Sequence, residues 1–153
     1  FYYSEVIGRL PNFLLTNVNT VWIHKGKKNY GGGNENLLIH TGRSKEYISK
    51  GILEEVFIHE AGHTSLDWDF GGLLSKTQWQ KAKRKDKEHI SDYAKKFPRS
   101  EDVAESILTW IAVRYRSDRI SKENNELVLN TIPNRLKFFD EQNFDMYPLV
   151  PRD

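Results

Sequence analysis

The run Val56-Phe57-Ile58-His59-Glu60-Ala61-Gly62-His63 constrains this chain more than any other segment. Residues four apart on an α-helix lie one above the other on the same face, so His59 and His63 can grip one metal ion together. Glu60 stands one step round the helix, where it can hold a water without ligating the metal. Ile52, Leu53, Val56, Phe57 and Ile58 make the preceding stretch strongly apolar, which predicts a buried helix. Buried imidazoles and a buried carboxylate are costly unless something neutralises them, and a bound metal does so.

The pattern is the H-E-x-x-H arrangement of zinc hydrolases, with Glu60 as general base and zinc as the expected cofactor. The chain has no cysteine. Disulfides, thiolate zinc sites and cysteine nucleophiles are thereby excluded, and His, Asp and Glu are left as the strong ligands. The compartment stays open, with a secreted location favoured. The start at Phe1, without a methionine or a signal-like segment, is expected to mark a processed or excised piece.

At 153 residues the chain suits a single domain, expected over residues 1–153. No segment approaches the ~20 consecutive apolar residues of a membrane span, so no membrane partner is expected. A net charge of +2 is too small to argue for nucleic acid. The basic run Lys81 to Lys87 reads as a solvated helix face rather than a phosphate-binding patch. A monomer acting on a peptide or protein substrate is the expected state.

Along the chain, Ser4 to Leu15 reads as a short helix interrupted near Pro11. Asn19–His24 and Asn36–His40 read as strands, with the Gly31-Gly32-Gly33 loop between them. The central helix is predicted from about Lys50 to Leu66, then a turn-rich stretch from Asp67 to Gly72. Helical segments follow over Thr77 to Lys87 and around Ile90 to Lys95. Ser100 is the expected N-cap of a helix from Glu101 to about Arg116, whose apolar face carries Val103, Ile107, Trp110, Ile111 and Val113. Helices are also predicted over Ser121 to Thr131 and Asn134 to Glu141. The aromatic tail Phe138, Phe139, Phe144 and Tyr147 reads as packing material. Few strands first and many helices afterwards argue an α+β class: a small N-terminal sheet, a mostly helical remainder, and the active-site helix between them.

A catalytic zinc takes three protein ligands and leaves a fourth position to water. A metzincin pattern would require Gly and His three and six residues after His63, where Leu66 and Asp69 stand instead. Glu101, in Glu101-Asp102-Val103-Ala104-Glu105, is the preferred third ligand. Glu105, one turn along, is placed to accept a hydrogen bond from a ligating imidazole. His24, His40, His89, Asp67 and Asp69 are the alternatives for the third position.

These two motifs together resemble the gluzincin metallopeptidases. In thermolysin-like and neprilysin-like members an E-x-x-x-D motif supplies the third zinc ligand and, four residues later, a supporting carboxylate; here Glu105 stands in place of that aspartate. The stretch from Ser91-Asp92-Tyr93 to Glu105 is also similar to the catalytic domain of anthrax lethal factor. That likeness implies a transition-state role for Tyr93, with His89 in reserve. The resemblance spans about Gly51 to Trp110 and implies a zincin-like fold and a zinc-dependent endopeptidase. Asn36–His40 matches the zincin edge strand in position, against which an extended peptide could pair. The alternative function is a zinc-containing binding or toxin-like module with weak or no peptidase activity.

Overall fold

The structure, a computed structural model, describes residues 2–71 and 77–152. It is mixed α and β, a small sheet with helices elsewhere, in agreement with the α+β expectation. The chain divides into two compact units, Phe1–Ser65 with Asp145–Asp153, and Leu66–Phe144. Among the described residues no helix is long and apolar enough to cross a membrane.

The first unit opens with the short helices α1 (Tyr2–Ile7) and α2 (Asn12–Leu15), separated at Pro11 as the sequence predicts. Strands β1 (Thr20–His24), β2 (Gly31–Gly33) and β3 (Asn36–His40) follow. They form a sheet in the order β1-β3-β2, with β1 parallel and β2 antiparallel to β3. The glycine run is therefore a strand and not the expected loop. It pairs because Asn34 and Glu35 both adopt positive φ, 48° and 59°, which a two-residue type I′ hairpin turn requires. The expectation for Asn36–His40 as an edge strand is also corrected: β3 is central, and both of its sides are occupied.

Leu37 and Ile39 of β3 are buried on one face of the pleat, and they join Leu10, Leu14, Tyr30 and Phe57 in the core of this unit. The segment after β3, for which the sequence suggested no element, is helix α3 (Thr41–Ser49). Polar residues mask its periodicity, yet the helical spacing is used: Glu46 pairs with Arg43 and Lys50 on one exposed face. Ser44 is its buried anchor. Its hydroxyl bonds the His40 carbonyl (3.2 Å) and meets the phenols of Tyr3 (2.8 Å) and Tyr30 (2.6 Å).

Helix α4 (Leu53–Leu66) carries the histidine motif. Its backbone lies directly against β2: a Cβ built on Gly32 would stand 1.8 Å from the Glu60 carbonyl oxygen. Only glycine allows that approach. Thr64 ties the same corner, its hydroxyl accepting from Gly33 N–H (2.8 Å) and lying 3.0 Å from the carbonyls of Asn36 and Glu60.

The second unit begins where α4 gives way to a π-helical turn, Asp67–Gly71, in place of the expected turn-rich stretch. The wider turn lets Phe70 bury itself edge-on against Phe138, ring centroids 5.2 Å apart. Gly72, the end of that predicted stretch, lies outside the described residues. Helices α5 (Thr77–Asp86), α6 (Asp92–Lys96), α7 (Asp102–Tyr115), α8 (Lys122–Thr131) and α9 (Pro133–Asp140) follow. Trp79, Trp110, Phe138 and Phe139 form its aromatic core. Tyr147 departs from its expected packing role; it is exposed, and the Arg152 guanidinium lies 4.8 Å over its ring. Ser100 is not the N-cap of α7, because the helix starts one residue later with Glu101 in the cap position.

Gly32→Ala is expected to cost about 3 kcal/mol or more, the upper end for overpacking, because the obstruction is backbone. That would lower the melting temperature by roughly 10 °C. Gly31→Ala is the control, since its Cβ would meet only Leu38 side-chain atoms at 3.6 and 3.7 Å. Equal melting curves for the two variants would remove the close approach of β2 and α4.

Candidate metal centre

His59 and His63 project from one side of α4, both half-buried, with ring nitrogens Nε2 and Nε2 separated by 3.1 Å. The rings meet edge to face at 84°, centroids 4.7 Å apart. Two nitrogens each ~2.0–2.1 Å from a tetrahedral zinc stand about 3.3–3.4 Å apart, so the pair fits a single ion with little adjustment. Glu60 between them is half-buried, and its backbone is fixed by Gly32 and Thr64.

Two phenols from the same unit belong to this neighbourhood. Burial raises the Tyr47 phenol above its ordinary value; Arg43 opposes the shift, and the Glu60 carboxylate adds to it. Tyr47 was not singled out by the sequence. Its ring meets Tyr30 edge-on at 5.2 Å, and Tyr30 in turn leans on Phe57 at 5.3 Å, one turn ahead of Ala61 on α4. Burial pushes the Tyr30 phenol up to about 12, although its hydrogen bond to Ser44 works in the other direction.

In the second unit Glu101 is half-buried at the start of α7, its amide bonded to the Phe97 carbonyl at 2.9 Å and its own carbonyl accepting from Glu105 N–H at 2.9 Å. Glu105 is also half-buried, one turn further along α7, the spacing that its supporting role assumes. Two imidazoles and a carboxylate are a donor set that suits zinc.

Tyr93, on α6, is 50% exposed and stacks edge-on with Phe97 at 5.2 Å. His89 is committed through Nδ1, which lies 2.8 Å from Asp102 Oδ1. Of the other candidate ligands, His24 and His40 face each other across β1 and β3 with ring centroids 5.8 Å apart. Asp67 and Asp69 lie in the π-helical turn, Asp67 half-buried and Asp69 exposed.

Sequence reasoning missed the charged cluster beside Glu101. Asp102 and Arg135 are fully buried, Arg135 reaching Asp102 through Nη2 (3.1 Å) and Nε (3.3 Å) and Asp86 through Nη1 (3.0 Å). Arg135 sits among Leu136, Phe138 and Phe139, and its position on the buried face of α9 was the one signal in the sequence. The chain matches no family model, no curated protein and no solved structure.

The Tyr30 phenol carries a consequence for alkaline stability. Its folded pKa of about 12 exceeds the ordinary 10, so the neutral form is favoured by folding. That contribution is full below pH 10 and is lost as pH rises through about 12. In Tyr30→Phe, urea unfolding across that window should show a shallower loss of stability, with a residual slope from Tyr47. Parallel curves for the two proteins would place Tyr30 in contact with solvent.

Proposed function

We propose that this chain is a zinc-dependent endopeptidase of the gluzincin type, with a zincin-like fold. His59, His63 and Glu101 hold the metal, and Glu60 is the general base. The observation that carries the reading is the 3.1 Å approach of the two Nε2 atoms on α4 with Glu60 between their parent residues. Two imidazole nitrogens and one carboxylate oxygen are a donor set that fits zinc and leaves a coordination position open to water.

Zinc, when bound, lowers the pKa of water and polarises a carbonyl. The chain's own residues do the rest. Glu60 accepts a proton from the attacking water and passes it to the leaving amine. Its backbone, held against Gly32, keeps that carboxylate in register with the two imidazoles. Glu105 orients a ligating imidazole. Tyr93, half-exposed on α6, donates a hydrogen bond to the oxyanion of the transition state. An extended peptide pairs along β2 rather than β3, because β2 is the outer strand that touches α4.

Protein purified without chelator should contain about one zinc per chain by elemental analysis. Glu60→Gln should keep that zinc while hydrolysis of an unbiased peptide library falls by ~10²–10⁴-fold. A folded chain indifferent to zinc, or a fully active Glu60→Gln variant, would sink the proposal. Zinc binding without any hydrolysis would instead favour a binding module.

The two glutamates of α7 are separable by titration. Glu101→Ala should weaken zinc binding more than the ~10–100-fold typical of a supporting residue, and Glu105→Ala should stay within that range. The reverse order would exchange their roles.

A further inference from the structure

Glu101 occupies the cap position of helix α7, and its side chain makes no capping hydrogen bond. The first turn is held from the side by the next residue. The Asp102 carboxylate, whose side chain is 2% exposed, meets Arg135 at both oxygens, His89 Nδ1 at 2.8 Å and Lys83 Nζ at 3.5 Å. Arg135 is itself held from behind: its Nη1 donates to Asp86 (3.0 Å) and to the Glu88 carbonyl (2.9 Å). Asp86 also accepts from the amides of Asn134 (2.7 Å) and Arg135 (3.0 Å), which close the start of α9. Lys83 reaches back to the Pro98 carbonyl at 2.6 Å, so the loop entering α7 is bound into the same cluster.

A buried ion pair of this kind is weak as a source of stability, since desolvation offsets most of the attraction. Its strength is geometric: a guanidinium fork accepts only a narrow range of carboxylate placements. Here that fork fixes the residue adjacent to the proposed third ligand. We infer that Asp102 and Arg135 are positioning residues that hold Glu101 in place for zinc. The inference rests on the proposed metal centre and deepens it. Neither residue touches the metal; both act through the backbone of α7.

The structure supplies its own control. Asp140, on α9, accepts from Trp110 Nε1 (2.7 Å) and pairs with Arg114 (2.9 Å), both on α7. It therefore joins the same two helices at the other end of α7, away from Glu101. Zinc affinity is to be measured by competition with a chromophoric chelator in the wild-type chain and in Asp102→Asn, Arg135→Lys and Asp140→Asn. Melting curves of the metal-free proteins are recorded alongside.

Asp102→Asn and Arg135→Lys should each weaken zinc binding by ~10–100-fold, while Asp140→Asn lowers the melting temperature and leaves zinc affinity unchanged. Arg135→Lys keeps the charge and loses the fork, so it reports on geometry if Asp102→Asn fails to fold. Zinc affinity equal to wild type in a folded Asp102→Asn or Arg135→Lys variant overturns this inference alone. An equal loss in Asp140→Asn overturns it too, because the effect would then follow general stability. A wild-type chain that binds no zinc removes the peptidase reading and the inference with it.

Discussion

The first unit depends on one contact between two backbones. Gly32 of β2 rests on the Glu60 carbonyl of α4 with no side chain between them. Sheets and helices ordinarily meet through a layer of side chains, and its absence here brings the strand unusually close to the helix that carries His59, Glu60 and His63. Thr64 secures the arrangement with one hydroxyl, which takes up the Gly33 amide and lies against two carbonyls. The hairpin at Asn34 and Glu35 then fixes β3 relative to β2, and β3 brings Leu37 and Ile39 into the core. The glycine run, the hairpin and the threonine after His63 are thus parts of one device.

Much of this was legible in the sequence, and the exceptions have physical causes. The central helix, the strand Asn36–His40 and the helix after Glu101 are rich in apolar residues, and each lies close to its expected bounds. Helix α3 escaped because its buried face is built from Ser44 and from tyrosines elsewhere rather than from its own apolar residues. Strand β2 escaped because three glycines carry no side-chain pattern; only the backbone contact explains them. The π-helical turn was unreadable for a different reason. Gly71 and Gly72 signal a turn, whereas burial of Phe70 against Phe138 keeps the chain helical through Asp67–Gly71.

The candidate site divides in the same way. The spacing of His59 and His63 is a local property of a helix, so it could be read directly, and the 3.1 Å separation of their ring nitrogens follows from it. Glu101 came from a motif. Asp102 gave no signal of its own, because its partners Lys83, His89 and Arg135 are scattered over separate elements. No periodicity links residues so far apart in the chain. Tyr47 was likewise invisible, since its relation to Glu60 arises only when α3 folds beside α4.

The two ends of α7 are held by different physics, and the difference bears on what each end can do. Its C-terminal half is packed by Trp110 against Phe139 and by Ile107 and Ile111, contacts that are strong in sum but tolerant of small shifts. Its first turn is held by the ionic cluster around Asp102, which is directional and tolerates little displacement. Burying the Asp86, Asp102 and Arg135 side chains is a poor route to stability, because aliphatic side chains of similar volume commonly do as well or better. The cluster makes sense where position matters more than stability. Glu101, the proposed metal ligand one peptide bond away, would impose that requirement, because a displaced carboxylate oxygen would no longer meet a metal.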